Sequence, residues 1–286
     1  MNKPAITILM AVYNGISTLD MAIRSIRNQT FDAWELVLVD DASKDDLQPF
    51  VAKYGDPRIR VIRNASNLGL AASLNRGIDL AEAPYIARMD ADDVSYPRRL
   101  EVQYEFLKKH PAVDVVGSKA LVFGVAGNAM GVIPVAETHE SIWNARLAGA
   151  FPLYHPTWMG KTEWFRRHKY DPSFRKAQDY ELLLRAAGTS TYANVAEILF
   201  GYRADQSNIR KRLQTRRYVL MALAKNRHGK NGHLDLLRGS FMTCAKSAGD
   251  VVFTMGRTTI SEKLRFMQVQ PQEMVHWKEV WRAVAG

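Results

Sequence analysis

The 286-residue chain has only one cysteine, Cys244. A single thiol cannot form an internal disulfide, so a disulfide-stapled secreted domain is excluded and a reducing compartment fits. The sequence also lacks a run of about 18 apolar residues, the length needed to cross a membrane. Its first residues lack the basic, apolar and small-residue segments of a secretory signal. These absences predict a cytoplasmic protein.

Glycine-rich phosphate-binding loops are missing as well. The first apolar run ends in Ala11-Val12-Tyr13-Asn14-Gly15, where a dinucleotide-binding dehydrogenase would carry Gly-x-Gly-x-x-Gly. No complete Gly-x-x-x-x-Gly-Lys-Ser/Thr phosphate loop occurs either. If the protein binds nucleotide phosphates, a metal ion is therefore expected to hold them in place of a backbone nest.

Positive charge is concentrated late in the sequence. Residues 1–150 have a net charge of −2, residues 151–286 have +12, and the residues from 210 onward alone have +10. Such a segment favours contact with a polyanion, such as membrane phosphates or nucleic acid. A basic helical surface in water, packed on the rest of the chain or in a homo-oligomer, is the alternative. The excess lies apart from the acidic strand ends described below, which disfavours a nucleic-acid-binding protein.

Strand and helix patterns alternate over the first 120 residues. Apolar runs predict strands, and amphipathic stretches predict helices, the first of them capped at Ser17-Thr18. This alternation is typical of an α/β fold with a mainly parallel sheet and right-handed crossovers. The predicted strands are 5–12, 34–39, 59–62 and 85–89, and the predicted helices are 17–29, 45–54, 69–81 and 97–109.

The remaining chain is less regular and then becomes helical. A strand is predicted at 113–123, helices at 137–148 and 179–187, and a helical pattern with interleaved Arg and Lys begins near 212. We therefore predict a catalytic unit at 1–211, followed by a basic helical extension at 212–286. Within the unit, a nucleotide-binding part would cover about 1–110 and an acceptor-side part about 111–211.

Polar clusters follow three of the predicted strands, and in parallel sheets ligands bind beyond such carboxyl ends. The most acidic cluster is Asp90-Ala91-Asp92-Asp93. Carboxylates this close repel one another unless a cation neutralises them, and Mg²⁺ is typically held by one or two carboxylates plus substrate phosphates. An acidic turn that caps the next helix is the alternative. A calcium EF-hand is rejected because a strand precedes the cluster and Pro97 interrupts the loop spacing.

The sequence resembles the family 2 glycosyltransferases, which are inverting enzymes with the GT-A fold. Four motifs occur in the family's order and spacing, with weaker matches at His155-Pro156-Thr157 and Gln178-Asp179-Tyr180-Glu181-Leu182, over roughly residues 5–205. The four are the run 6–15 ending in Tyr13-Asn14-Gly15, the run 34–43 ending in Asp40-Asp41-Ala42-Ser43, the segment 67–77 from Asn67-Leu68-Gly69 to Arg76-Gly77, and Ala87-Arg88-Met89-Asp90-Ala91-Asp92-Asp93.

The resemblance implies a role for each matching residue. Tyr13 would flank the nucleobase, with the backbone of Ala11 and Val12 lining the same pocket. Asp41 would accept a hydrogen bond from the base, which suits a uracil-type N–H. Three further residues follow: Arg76 would face the nucleotide, Asp90 would lie near the ribose, and Asp92 would bind Mg²⁺ or Mn²⁺.

The resemblance also implies the catalytic step. Asp179 would be the general base that takes the proton of an acceptor hydroxyl, and His155 would lie on the acceptor side. Two positions depart from the family pattern: Gln178 stands where an acidic residue is usual, and Asp205 where a histidine is usual. A helix cap at Asp179 and a structural role for His155 are the simpler alternatives.

The resemblance thus implies an inverting transferase that moves a sugar from a UDP- or dTDP-sugar to a glycan or lipid-linked hydroxyl. Bacterial surface polysaccharide synthesis is the expected process. The basic extension would contact the inner face of the cell membrane, and no nucleic acid is expected as a partner. A nucleotidyltransferase or another metal-dependent nucleotide-binding protein remains the alternative, although the segment after the first strand lacks the basic glycine-rich loop of those enzymes.

Overall fold

The computed structural model describes residues 3–148, 151–204, 209–226, 232–255 and 266–285. Asp205 lies outside these ranges. A nine-stranded sheet forms the centre of the described chain. Its strands are β1 Ile6–Val12, β2 Trp34–Asp40, β3 Ile59–Arg63, β4 Tyr85–Asp90, β5 Val94–Ser95, β6 Val115–Phe123, β7 Ala129–Ile133, β8 Met159–Lys161 and β9 Tyr192–Arg203.

Helices cover both faces of this sheet. They are α1 Ile16–Arg27, α2 Leu47–Ala52, α3 Leu70–Leu80, α4 Arg99–Lys109, α5 His139–Asn144, α6 Thr162–His168, α7 Gln178–Ala186, α8 Ile209–Lys225, α9 Gly232–Met255 and α10 Pro271–Val284. Among the residues with described structure, none of these helices combines the length and hydrophobicity needed to cross a bilayer.

The sheet has the strand order β3-β2-β1-β4-β8-β6-β9-β5, with β7 paired to β6. Strands β3, β2, β1 and β4 are parallel, which confirms the α/β pattern predicted for the first 120 residues. Beyond β4 the sheet is mixed: β8 runs antiparallel to both β4 and β6, whereas β6 and β9 are parallel. The parallel half brings the predicted polar clusters to one edge.

Alternating side chains of β1 build two core layers. Ile8 and Met10 belong to a cluster that includes Leu19 and Ile23 of α1. Leu9, between them, packs in a second cluster on the opposite face with residues of α3. This period of two places helices on both faces, as expected for a buried parallel strand.

Several boundaries differ from the sequence-based expectation. Helix α1 begins at Ile16 after Gly15, with no side-chain cap, so the predicted cap at Ser17-Thr18 is wrong. The predicted helix 137–148 is α5 followed by a 3₁₀ turn at Ala145–Ala148. The short strands of the mixed half, such as the three-residue β8, were not predicted because their pattern is too brief to detect.

The carboxyl-terminal helices pack on the rest of the chain at two places. Val219, Ala222 and Leu223 of α8 form a buried cluster with Phe174 and with Tyr180 of α7. A separate cluster joins α10 to β6 through two aromatic contacts: the ring of Trp277 lies 4.9 Å from that of Phe123, and Trp281 lies 5.4 Å from it. The basic extension predicted at 212–286 is therefore partly a packing element, and its boundary near 211 stays a prediction.

Candidate active site

The predicted nucleotide-binding residues come together where β1, β2 and β4 end. Ala11 is paired with Asp90 in β4, and Val12 with Asp40 in β2. Tyr13 follows immediately, and its side chain is 52% exposed. An exposed aromatic ring at the carboxyl edge of a parallel sheet is available to stack on a base.

Hydrogen bonds tie the loop after β1 to the loop after β2. The backbone N–H of Asn14 donates to Oγ of Ser43 at 2.9 Å, and the N–H of Lys44 donates to Oδ1 of Asn14 at 2.9 Å. Asn14 and Ala42 both adopt positive φ angles, 53° and 61°. Such conformations cost free energy at non-glycine residues, and these cross-links hold them in place beside the exposed ring.

Asp41 is a buried carboxylate with a nearly complete set of donors. Its Oδ1 accepts the backbone N–H of Leu68 at 2.9 Å and the amide of Asn64 at 2.7 Å, and its Oδ2 accepts the N–H of Gly69 at 2.8 Å. Burial would raise the pKa of Asp41, but these donors hold it below its ordinary 3.8. The carboxylate stays ionised, and the hydroxyl of Ser73 is a further hydrogen-bond donor to it.

Arg76 lies beside this carboxylate without touching it. Its Nη1 donates to Oδ1 of Asn64 at 2.5 Å and to the carbonyl oxygen of Arg63 at 2.9 Å. Asn64 in turn donates to Asp41, so Arg76 orients Asn64 in this structure. The side chain is exposed, and its predicted contact with a nucleotide stays a prediction.

The acidic cluster has the donor set of a divalent-metal site. One carboxylate oxygen from each of Asp90, Asp92 and Asp93 lies within 4.8 Å of the others. Asp93 is fully buried: its Oδ1 accepts the backbone N–H of Arg203 at 2.9 Å, and its Oδ2 has no partner among the described residues. Burial, followed by the charges of Asp90 and Asp92, raises the pKa of Asp93 well above its ordinary value. A hard cation with oxygen ligands fits this arrangement.

Arg88 is a buried cation beneath the cluster that the sequence analysis did not single out. It is 2% exposed, and its Nη2 donates to Oδ1 of Asp90. Its Nε and Nη1 are buried without a partner among the described residues. Burial alone would lower the pKa of Arg88, but the charges of Asp90, Asp93 and Asp179 outweigh it and raise the pKa. The sequence signal was an arginine inside an otherwise apolar strand.

Asp179 lies in the first turn of α7, one residue after its start. The cap position is Ala177, in a left-handed conformation with φ of 53°, so Asp179 is not the helix cap. Burial raises the pKa of this carboxyl above 3.8, while the positive charge of Arg88 opposes the shift. A carboxyl with a raised pKa near an acidic cluster is suited to accept a proton.

His155 is buried in a 3₁₀ turn at the inner end of the site. Its Nε2 is 2.7 Å from the hydroxyl oxygen of Tyr170, and its ring packs 4.7 Å from that of Trp158. Burial, with the nearby charge of Arg88, lowers the pKa of His155 well below 6.5, so the imidazole is neutral at pH 7. The structure thus gives His155 the hydrogen-bonded environment of the structural alternative, and its predicted acceptor-side role stays a prediction.

A second buried arginine, Arg99, supports the site from behind and was also missed. Its Nη2 donates to the carbonyl oxygen of Arg88 at 2.6 Å, and its Nε donates to Oε1 of Gln103 at 3.1 Å. Burial, followed by the charge of Arg88, lowers the pKa of Arg99 to about 9. The hydrogen bond between Arg99 and Arg88 holds α4 against β4. Nothing in the local sequence pattern indicated that Arg99 is buried.

One curated relative matches most of this sequence, and another matches less than half of it. EpsE of Bacillus subtilis (strain 168), which carries a glycosyltransferase name, is 38% identical over 218 residues, 73% of this chain and 76% of its own. WfgD of Escherichia coli is 30% identical over 122 residues, 43% of this chain and 48% of its own. It is named a UDP-Glc:α-D-GlcNAc-diphosphoundecaprenol β-1,3-glucosyltransferase.

Solved glycosyltransferase structures share the fold. Staphylococcus aureus TarS 1–349 superposes with a TM-score of 0.65 at 17% identity, covering 98% of this chain and 80% of TarS 1–349. The mannosyltransferase PcManGT of Pyrobaculum calidifontis was solved with GDP-Man and Mn²⁺. It superposes with a TM-score of 0.62 at 14% identity, covering 100% of this chain and 88% of PcManGT. The predicted GT-A fold is thereby confirmed.

The family assignment comes from the first 170 residues. The model of the family described as glycosyl transferase family 2 matches residues 7–170, which contain the acidic cluster and all of the four sequence motifs except Ile6. The match decides against the alternative of a nucleotidyltransferase. The chain belongs to glycosyl transferase family 2, and it is an enzyme that transfers sugars.

Proposed function

We propose that the protein transfers a sugar from a UDP- or dTDP-sugar to a hydroxyl group of a glycan or lipid-linked acceptor, with inversion at the anomeric carbon. The observation that carries the proposal is the meeting of an exposed aromatic ring, an ionised buried carboxylate and an acidic cluster at one sheet edge. Asp179 stands close enough to that cluster for its pKa to respond to Asp90 and Arg88.

The preference for a uracil or thymine nucleobase in the donor follows from Asp41. An ionised carboxylate accepts hydrogen bonds and cannot donate them, so it favours a base that presents an N–H, as uracil and thymine do. The carboxylate of Asp41 would be the acceptor, and the exposed ring of Tyr13 would supply the stacking surface. One structure of TarS was solved with UDP-GlcNAc, which agrees with this preference for a related fold.

A divalent cation, Mg²⁺ or Mn²⁺, would be held mainly by Asp92, with Asp90 and Asp93 beside it. When bound, it would neutralise the negative charge that develops on the leaving diphosphate. Asp90 and Asp92 are both partly buried, whereas Asp93 is fully buried and already accepts the N–H of Arg203. Asp90 accepts a hydrogen bond from Arg88, so Asp92 is the best placed of the three.

Asp179 acts on the acceptor in this proposal. Its carboxylate removes the proton from the attacking hydroxyl while that oxygen forms a bond to the anomeric carbon. Attack from the side opposite the diphosphate inverts the configuration, so an α-linked donor gives a β-linked product. The neutral His155 takes no part in the proton transfer.

The acceptor class and the cellular process come from the relatives. WfgD is named for a diphosphoundecaprenol-linked acceptor, which makes a lipid-linked glycan in bacterial polysaccharide synthesis the favoured acceptor. Such an acceptor lies at a membrane, and we place the reaction at its cytoplasmic face. The exposed cations Arg210, Lys211 and Arg217 lie on α8 and would contact anionic headgroups there.

A screen of sugar nucleotides tests this function directly. Thermal unfolding is measured with UDP-, dTDP- and GDP-sugars, each with Mn²⁺ and with EDTA. We expect a metal-dependent rise of the midpoint with uridine or thymidine nucleotides and a smaller rise with GDP-sugars. Equal stabilisation by all three bases would contradict the role of Asp41, and NMR of the product linkage reports inversion or retention.

A further inference from the structure

Helix α9 carries an apolar stripe that faces solvent. Leu237 is 68% exposed and Phe241 is 72% exposed. Residues four and seven positions apart lie on one face of a helix, so Cys244 and Ala248, which are also exposed, continue the stripe. We name these four residues the α9 stripe.

The opposite face of α9 packs on the protein, so the exposure is confined to the face that carries the stripe. Gly239 is buried, and a Cβ there would lie 2.7 Å from the side chain of Leu223 in α8. Thr243 is fully buried, and Leu236 packs on the cluster of Phe174 and Tyr180. The helix is therefore seated on the protein by its inner face, and the stripe stays in water.

Exposed cations lie on the same two-helix unit as the stripe. Arg238 is exposed beside Leu237, and α8, which packs against α9, presents exposed Arg210, Lys211 and Arg217. A helix with bulky apolar residues on one side and cations near them is typical of a segment that lies in the interface of an anionic bilayer. A second copy of the same surface would bring like charges together, which disfavours a symmetric dimer.

We propose that the α9 stripe inserts into the headgroup region of an anionic lipid bilayer, with the cations of α8 and Arg238 on the lipid phosphates. The proposal rests on the proposed lipid-linked acceptor and names the surface on which the enzyme meets it. Because α8 also packs on α7, the helix that carries Asp179, docking would hold the catalytic base at a fixed height above the membrane.

Cys244 makes a direct test possible, since it is the only cysteine of the chain and is exposed on the stripe. An environment-sensitive thiol fluorophore on Cys244 is titrated with phosphatidylcholine vesicles, with and without phosphatidylglycerol. We expect a blue shift with the anionic vesicles that weakens as salt rises, and quenching by spin-labelled lipids. No shift with anionic vesicles would overturn the proposal. A shift that grows with protein concentration without vesicles would also overturn it and identify a second copy as the occupant.

A double variant, Leu237→Ser with Phe241→Ser, tests the insertion itself by vesicle co-sedimentation of unlabelled protein. Vesicle affinity should fall about tenfold or more, because interfacial binding scales with the apolar area buried. The matched control is Val125→Ser, which removes a side chain that is 76% exposed in the turn between β6 and β7. Affinity that is equal in the double variant and the control would contradict the proposal.

Two readouts separate this proposal from the proposed function. The double variant should keep metal-dependent stabilisation by the donor nucleotide and transfer to a water-soluble acceptor, because neither side chain contacts the candidate active site. If the unmodified chain transfers no sugar but binds vesicles through the stripe, the proposed function fails and the docking surface stands.

Discussion

The guanidinium of Arg88 donates to the carboxylate of Asp90 from beneath the acidic cluster, where the arginine is 2% exposed. One buried cation thus stands among the carboxylates of Asp90, Asp93 and Asp179, whose charges all act on it. Removing one partner from such a group leaves uncompensated buried charge, which is strongly destabilising. Arg88 therefore offsets part of the negative charge of these carboxylates.

Arg88→Met should lower the free energy of unfolding by about 3–5 kcal/mol, measured by urea denaturation without metal. Arg88→Lys should lose less because it keeps the charge, though not the fork of donors. Added Mn²⁺ should stabilise Arg88→Met more than the unmodified chain, since a cation can replace part of the missing charge. The control is Arg98→Met, whose side chain is 63% exposed. Equal stability of both methionine variants would contradict this account.

Asp92→Asn should remove most of the metal-dependent donor affinity, and Asp93→Asn should remove less. Loss of a residue that only supports a metal ligand typically lowers metal affinity by about 10–100-fold, and loss of the ligand itself should lower it at least as much. Isothermal titration of UDP in Mn²⁺ and in EDTA checks this. If both variants lost the same affinity, or if the unmodified chain bound UDP equally in EDTA, the assignment of Asp92 would be wrong.

Asp179→Asn should abolish transfer while donor affinity changes little. A general base acts on the acceptor hydroxyl in the transition state, so kcat should fall about 10²-fold or more. Asp79→Asn serves as a control because this carboxylate is exposed and pairs with Lys169. A folded Asp179→Asn variant with normal turnover would place the base elsewhere.

Transfer should decline in acid through the titration of Asp179. The base must be ionised to accept a proton, and its pKa is raised above 3.8, so activity falls as pH drops through a midpoint above that value. Steady-state kcat between weakly acidic and neutral pH measures this limb. The residual activity of Asp179→Asn should not show this fall of kcat in acid. If kcat of the variant fell over the same pH range, another group would be responsible for the titration.

Much of the nucleotide half could be predicted from the sequence because its signals are local. The first four strands and their helices follow from apolar periodicity, and Tyr13 and Asp41 stand directly after strands. Sheet geometry then brings those ends together without further information. The acidic cluster was found for the same reason.

The mixed half and the buried arginines could not be predicted in this way. Strand β8 has three residues, and its pairing with β4 joins segments more than seventy positions apart. The burial of Arg88 depends on charges that other segments bring to it, among them Asp179. A local pattern records neither the partner nor the burial that such a partner allows.

Helix α10 closes the sheet late in the chain. The indole N–H of Trp277 donates to the carbonyl oxygen of Gly127 at 2.7 Å. Gly127 has φ of 81°, and a Cβ there would lie 2.1 Å from the ring of Trp281. During synthesis, the nucleotide half can pair its strands as they emerge, but the aromatic cover of β6 arrives only when α10 leaves the ribosome. Until then the apolar surface around Phe123 is open to chaperones and to aggregation, so folding of this sheet is completed only after α10 has been synthesised.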